Sequence, residues 1–142
     1  MTNATSENLI NEARACTLCA DLPLGPRPVF QISPTAKILI ACQAPGIRVH
    51  ESGRPFTDPS GDRLREWTGI NTEAFYDRSL IAILPMGFCY PGTGKSGDLP
   101  SRQECAPAWR HKLLALTPNN TLTLAIGQYA QAWHLQGEMH IN

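Results

Sequence analysis

The sequence has little charge and no block of charge of either sign. Charged residues make up 17% of the 142 residues, and 12 basic and 12 acidic side chains give a formal net charge of zero. A neutral chain has no general attraction to nucleic acids, so contact with them requires a local basic strip. The arginines between positions 48 and 65 offer such a strip, although the acidic residues among them suit a solvated helix face equally well.

Membrane-directed segments are also lacking. No apolar run approaches the ~18–20 residues that a transmembrane helix needs. The first twelve residues are polar and lack the basic and then apolar pattern of a signal peptide. We therefore expect a cytoplasmic protein that does not associate with membranes. In that reducing compartment its five cysteines are expected to be free thiols or ligands rather than disulfides.

Three short apolar runs alternate with amphipathic segments along the chain. The runs predict buried strands over Lys37–Cys42, Ser79–Leu84 and Thr121–Ile126. Helices are expected over Glu7–Cys16, Asp62–Trp67, Arg102–Leu116 and Gln128–Leu135. Strands that alternate with helices predict an α/β fold with a mainly parallel sheet. The length and the absence of a linker predict one domain over residues 1–142.

Two long loops follow the first two predicted strands, over Gln43–Gly61 and Pro85–Pro100. Because ligands bind at the carboxyl ends of strands in open parallel sheets, we expect a pocket between these loops. The second loop contains the run PGTGKS at 91–96, which resembles a phosphate-binding loop. Cys89 stands where that motif needs glycine, and Gly97 to Pro100 follow in place of a helix. Nucleotide hydrolysis is therefore disfavoured.

Four of the five cysteines have the spacing of a metal centre. Cys16 and Cys19 form a C-x2-C pair, and Cys89 and Cys105 enclose fifteen residues. Four thiolates suit either zinc or an iron–sulfur cluster, and a redox-active thiol pair is the remaining alternative. Cys42 ends an apolar run without a partner, which is typical of a buried small hydrophobe.

These spacings, together with two motifs in the first loop, resemble the uracil-DNA glycosylase superfamily. The resemblance is to its iron–sulfur, family 4-like branch, and within it to a poorly characterised bacterial subgroup. That branch carries G-E-x-P-G followed by G-R-P-F; here Cys42-Gln-Ala-Pro-Gly46 and Gly53-Arg-Pro-Phe56 stand at the same separation. The resemblance implies a three-layer α/β/α fold around about four strands. It also implies a 4Fe–4S cluster on the four spaced cysteines, with zinc as the alternative.

The resemblance implies a DNA-repair enzyme, a monomer acting on DNA, that flips out a deaminated base and hydrolyses its N-glycosidic bond. It places Phe56 under the flipped base, in a single strand or out of a duplex. The stretch of Gln43, Ala44, Pro45 and Gly46 is a candidate for binding a base, because its backbone N–H groups, which Pro45 itself lacks, can bond to a base carbonyl. His50 and Asp58 are candidate general bases, and Gln43 can position a water molecule. Phe56 and His50 have ordinary loop alternatives, and Asp58 before Pro59 is also a natural turn former.

The sequence departs from the family pattern at several positions. Gln43 replaces a glutamate, Val49 replaces an acidic residue, and Pro85 replaces an asparagine that reads the edge of uracil. The sequence reaches Asn142 before the family's H-P-S motif on a fourth strand, so we expect little uracil excision by residues 1–142. A non-catalytic cluster-bearing nucleic-acid-binding module on the same fold is the main alternative, and a zinc-stabilised structural domain is the third.

Overall fold

The structure, a computed structural model, describes residues 3–135 and the side chains of residues 5–135. Its helices are α1 Asn3–Arg14, α2 Ile47–Ser52, α3 Pro59–Thr68, α4 Thr72–Phe75, α5 His111–Leu114 and α6 Gln128–His134, with a π-helical turn over Ala106–Arg110 leading into α5. Its strands are β1 Ile38–Cys42, β2 Ile81–Pro85, β3 Thr93–Gly94, β4 Gly97–Asp98 and β5 Leu122–Ala125. None of the helices in this part of the chain is long and apolar enough to span a bilayer.

The main sheet is parallel, as the sequence predicts. Its three strands lie in the order β2-β1-β5, and Ile40 of β1 faces Ile83 of β2 and Leu124 of β5. All five residues of β2 are buried, because helices cover both faces of the sheet. Short apolar runs of this kind are typical of strands buried on both sides. The α/β fold class is confirmed, with three parallel strands in the described residues.

Alternate residues of the strands feed two separate cores. On one face, Leu39 and Leu84 pack with Ile10 of α1 and Leu113 of α5. On the other face, the isoleucines of β1 and β2 pack around fully buried Phe75 of α4. Because successive side chains of a strand point to opposite faces, one apolar run supplies both cores. The result is the expected three-layer arrangement, with α1, α5 and α6 on one side and α3 and α4 on the other.

The structure corrects the sequence predictions in the first long loop. The stretch Gln43–Gly61 is not continuous loop, because α2 forms inside it and α3 begins at Pro59. Gly53 ends α2 with a left-handed φ of 71°, and Asp58 caps α3 through a hydrogen bond accepted from the Gly61 amide. A six-residue helix with one buried residue leaves little periodicity to detect in the sequence.

In the second half of the chain, one predicted segment differs from the structure and one prediction agrees with it. The helix expected from Arg102 begins instead at Ala106. Pro107 fits in its first turn, because the backbone N–H groups there have no partner within the helix and proline lacks this group. The run at 91–96 contributes to the β3–β4 hairpin, with Thr93 opposite Asp98, and no helix follows it. Without a helix N-terminus the run lacks the anchor of a phosphate loop, as predicted.

Candidate functional site

A cavity of about 180 Å³ lies where the three parallel strands end. Cys42 of β1, Pro85 of β2 and Ile126, which follows β5, all line it. The rest of its wall is Val29 and nine residues of the first loop: Gln43, Ala44, Pro45, Gly46, Val49, Pro55, Phe56, Asp58 and Ser60. The expected pocket therefore exists at the carboxyl ends of the strands. The second long loop contributes only Pro85 to this cavity, which is less than the sequence predicts.

Phe56, the expected platform for the base, has an unusual backbone. Its φ of 58° makes it the one non-glycine residue with positive φ in the described residues. Such conformations need support from their surroundings and concentrate at functional sites. The Tyr76 hydroxyl donates to the Pro55 carbonyl at 2.7 Å and to the Phe56 carbonyl at 3.2 Å, and Arg65 Nη1 donates to the latter at 3.1 Å.

Gly61 allows this backbone to sit tightly against α3. A Cβ atom at position 61 would lie 1.9 Å from the carbonyl oxygen of Phe56 and 2.7 Å from its Cβ. No side chain fits there, so the glycine is needed for the close approach of the two segments. The Phe56 ring then meets Phe75 edge to face, with centroids 5.9 Å apart, while it also lines the cavity. Phe56 therefore packs within the loop and also lines the cavity, and its role under a flipped base stays a prediction.

Two arginines of the possible basic strip, Arg54 and Arg65, are engaged in contacts within this loop region. Arg65 bonds to Asp62, Phe56 and Tyr76, and only 13% of its side chain is exposed. The guanidinium of Arg54 lies 3.7 Å from the centroid of the Tyr76 ring. Both cations therefore stabilise the loop that carries Phe56, which a count of charges along the sequence does not reveal.

Asp58 lines the cavity with one carboxylate oxygen occupied. Its Oδ1 accepts hydrogen bonds from the Ser60 hydroxyl at 2.6 Å and from the Gly61 amide at 3.0 Å. Its Oδ2 has no hydrogen-bond partner in the part of the chain that the structure describes. Asp58 therefore caps α3 and lines the cavity at the same time, and its role as a general base stays a prediction.

Gln43 also lines the cavity, but its amide oxygen is engaged elsewhere. Oε1 accepts a hydrogen bond from the Ala130 amide at 3.2 Å, in the first turn of α6. Gly127 leaves room for this contact, because a Cβ atom there would lie 2.6 Å from Cδ of Gln43. The side chain thus joins the end of β1 to α6. Its predicted role in positioning water remains a prediction.

His50 does not line the cavity, which corrects its placement in the predicted site. It lies in α2, a helix that the sequence analysis missed, and its neighbour Val49 takes the position in the cavity wall. The His50 ring tilts against Tyr90, with centroids 5.9 Å apart. Its buried Nδ1 has no hydrogen-bond partner within the described residues. Helical rotation turns adjacent side chains by about 100°, so these two residues cannot share a direction.

Arg110 supports the cavity from behind, and the sequence analysis missed it. It is 1% exposed, and its Nη1 donates to the carbonyls of Leu84 and Pro85 at 3.1 Å each. Its Nη2 lies 2.7 Å from Nε2 of His134. Burial lowers the pKa of Arg110 to about 10, and burial together with the nearby guanidinium lowers the pKa of His134 to about 4. A buried arginine in a π-helical turn leaves no pattern in the sequence.

The four spaced cysteines line one separate cavity. Cys16, Cys19, Cys89 and Cys105 border it together with Phe88 and Arg102, and Cys42 is absent from its wall. Burial raises the pKa of Cys89 to about 11 and of Cys105 to about 12. Over residues 3–135, no three His, Cys, Asp or Glu side chains converge closely enough to hold a single metal ion. The metal centre therefore stays a prediction, although its four proposed ligands are neighbours.

This geometry defines a class of protein: an α/β protein with a ligand-sized cavity at the ends of its parallel strands. The family model of the uracil DNA glycosylase superfamily matches residues 29–141. The chain therefore belongs to the uracil DNA glycosylase superfamily. The match covers the whole cavity wall together with Cys89 and Cys105, and it begins after Cys16 and Cys19. Membership therefore does not by itself establish the iron–sulfur branch.

Proposed function

We propose that this protein takes uracil, or another deaminated base flipped out of DNA, into the 180 Å³ cavity and hydrolyses its N-glycosidic bond. The observation that carries the proposal is Phe56, an aromatic ring held in a strained backbone at the ends of the parallel strands. The cavity is smaller than the about 300–1,000 Å³ of sites for drug-sized ligands, which suits one flat ring. Stacking on an aromatic ring contributes about 1–3 kcal/mol per base.

The cavity wall supplies groups for each part of the reaction. Backbone N–H groups of Gln43, Ala44 and Gly46 are the donors for the negative charge that builds on the departing base, and Pro45 between them has none. Oδ2 of Asp58 is the acceptor for the proton of the attacking water, whose oxygen bonds to C1′ as the bond to the base breaks. Asp58 is the strongest of the three predicted catalytic residues, because Gln43 is engaged with α6 and His50 lies outside the cavity.

The proposal includes a 4Fe–4S cluster held by Cys16, Cys19, Cys89 and Cys105. Four thiols around one cavity are the donor set of such clusters. Four thiolates suit either such a cluster or zinc, and the resemblance of the C-x2-C and C-x15-C spacing to the iron–sulfur branch favours the cluster. When bound, the cluster would crosslink the end of the N-terminal segment to the second long loop. This role is structural, and the cavity at Phe56 carries the chemistry.

A second candidate function is binding of a base without cleavage. Pro85 lies in the cavity wall and offers no side-chain donor, and the Gln43 amide oxygen bonds to Ala130. Both observations weaken recognition of the uracil edge and positioning of water. Stacking on Phe56 does not depend on either residue, so binding would persist without turnover.

The test is release of free uracil from single-stranded DNA with protein in excess over DNA, so that slow cleavage is detected. Asp58→Asn keeps a side chain that caps helices as well as aspartate does, but it removes the negative charge. We expect this variant to lose about 10²-fold or more in rate, as is typical when a general base is removed. Glu66→Gln, on the exposed face of the same helix, is the matched control and should cleave like the natural protein.

The outcomes separate the two candidate functions. Uracil release that Asp58→Asn abolishes and Glu66→Gln retains supports the glycosylase. Binding of uracil-containing strands that depends on Phe56, without any release above buffer, supports the binding module. Absence of both binding and release contradicts the proposed function.

A further inference from the structure

A second cavity of about 370 Å³ adjoins the proposed base pocket. The two cavities share one wall, formed by Gln43, Ala44 and Pro45. The opposite side of the second cavity comes from the second long loop and from α6, through Pro91, Asp98, Leu99, Pro100, Ser101 and Tyr129. Only a thin backbone segment separates the two cavities. A DNA strand with one base in the first cavity therefore has its neighbouring nucleotide beside the second cavity.

Two large apolar side chains border this cavity and are unusually open to solvent. Tyr129 in the first turn of α6 is 44% exposed, and Leu99 after the hairpin is 46% exposed. Tyr129 packs against no other aromatic ring in the part of the chain that the structure describes, unlike Phe56, Phe75 or Tyr76. An exposed aromatic ring beside a slot with an aliphatic wall is a stacking surface for a flat heterocycle.

Asp98 gives the same cavity a polar acceptor. Its Oδ1 accepts a hydrogen bond from the Thr93 hydroxyl at 3.3 Å, and Thr93 in turn bonds to the Tyr90 hydroxyl. Oδ2 has no hydrogen-bond partner in residues 3–135, and it lies 3.3 Å from where a Cβ atom of Gly46 would stand. The carboxylate therefore reaches the edge of the first loop, close to the base pocket.

The charge of this carboxylate decides which part of a nucleotide suits the cavity. A carboxylate repels a phosphate group, but it accepts hydrogen bonds from exocyclic amino groups, as aspartate and glutamate do from N4 of cytosine. Thymine has no exocyclic amino group. The wall therefore combines a stacking ring with an acceptor that distinguishes among bases.

We propose that the second cavity binds the nucleobase adjacent to the flipped base in the same DNA strand, stacked on Tyr129. Asp98 gives this subsite a preference for cytosine or adenine over thymine. This inference rests on the proposed function of the first cavity and adds a context preference to it. The protein then reads two neighbouring bases, one by Phe56 and one by Tyr129.

The test measures binding by fluorescence anisotropy, with no dependence on cleavage. The probe is a short single strand with one non-hydrolysable 2′-fluoro-2′-deoxyuridine, flanked on both sides by cytosine or on both sides by thymine. Tyr129→Ala should weaken binding about 5- to 100-fold, the usual contribution of one stacked base, and Tyr129→Phe should retain it. Trp67→Ala is the control, because Trp67 is 76% exposed on α3 and lines neither cavity.

The preference is tested with the two flanking sequences. The natural protein should bind the cytosine-flanked strand more tightly, and Asp98→Asn should remove most of that difference. Equal binding of both strands by the natural protein would overturn the role of Asp98. Unchanged binding by Tyr129→Ala, where Phe56→Ala weakens it, would overturn the second subsite alone. If neither variant changes binding, the proposed function of the first cavity fails as well.

Discussion

The proposed base pocket and the cysteine cavity are built in opposite ways. Phe56 in the pocket is fixed by hydrogen bonds from Tyr76 and Arg65 and by the close approach of Gly61. The cysteines have few such contacts: Cys19 donates weakly to Glu104 at 3.5 Å, and Cys105 accepts from the Phe88 amide at 3.4 Å. The pocket is organised by the protein itself, whereas the geometry of the thiols would be fixed by the cluster that we propose they bind.

Because of this difference, the two regions are damaged by different kinds of change. A preorganised pocket is damaged by changes in the residues that support it, even when those residues never touch a ligand. A ligand-dependent cavity is damaged by loss of the ligand, because binding energy of the centre contributes directly to folding. The following predictions separate these two kinds of damage.

The largest effect is expected from removing one cysteine of the four. Cys105→Ala should reduce iron from about four per chain to nearly none in anaerobically purified protein, because a cluster with three thiolates is easily lost. Absorption near 400 nm and iron analysis measure this change. Cys42→Ala is the control, since Cys42 lines the base pocket and not the cysteine cavity. Equal iron content in both variants would show that these thiols bind no cluster.

A large effect on the pocket is expected from Gly61→Ala. The added methyl group would lie 1.9 Å from the Phe56 carbonyl oxygen, so Phe56 must move. Overpacking of this kind costs about 1–3 kcal/mol in the free energy of unfolding, and base binding should be lost with it. Urea unfolding and anisotropy with the uracil analogue measure the two effects.

Gly69→Ala is the matched control for that variant. Gly69 ends α3 with a φ of 71° and has open space around it, so alanine there brings strain without a clash. We expect a loss of about 1–2 kcal/mol of stability and normal base binding. Loss of binding in both variants would show that the effect of Gly61→Ala is global destabilisation.

Acid should destabilise the support behind the pocket. The pKa of His134 is lowered to about 4 in the folded state, below its ordinary value of 6.5. Stability from the neutral ring is therefore present above pH 6.5 and is lost as the pH falls towards 4. Because His134 is only half-buried, solvent screening limits the change to about 1 kcal/mol. Denaturant midpoints of the natural protein and His134→Gln at several pH values test this, and parallel pH profiles would contradict it.

The smallest effect is expected from Tyr76→Phe. It removes the hydroxyl that donates to the carbonyls of Pro55 and Phe56 but keeps the ring that packs on Phe75. The single hydroxyl proton is shared between the two carbonyls and contributes about 0.5–1.5 kcal/mol, so base binding should weaken by about 2- to 13-fold. An anisotropy titration measures it. A loss as large as that of Gly61→Ala would mean that the hydroxyl, and not the close packing, fixes Phe56.

The sequence predicts the strands and the location of the pocket because both follow from local patterns. Buried parallel strands are continuous apolar runs, and topology alone places the loops after them at one edge of the sheet. The grouping of four cysteines also follows from spacing. What remains hidden depends on contacts between distant positions. Arg110 bonds to the end of β2, and the Gln43 side chain bonds to a helix 87 residues further along the chain.

The position of His50 outside the cavity wall has a different origin. The short stretch Ile47–Ser52 shows no clear helical period, so the sequence predicts a loop, and in a loop any side chain can turn towards a ligand. Once α2 forms, the position of each residue on the helix decides which one faces the cavity, and Val49 takes that place. The second cavity lies between the two long loops, where the sequence predicts a pocket, but the contribution of Tyr129 depends on how α6 packs and has no signal in the sequence.

The most direct test of the account is a crystal structure with a short single strand that contains the non-hydrolysable 2′-fluoro-2′-deoxyuridine. The account predicts the uracil ring stacked on Phe56 in the cavity at the ends of β1 and β2, with Oδ2 of Asp58 on the side of C1′. A uracil ring bound elsewhere, with the cavity beside Phe56 empty, would contradict it.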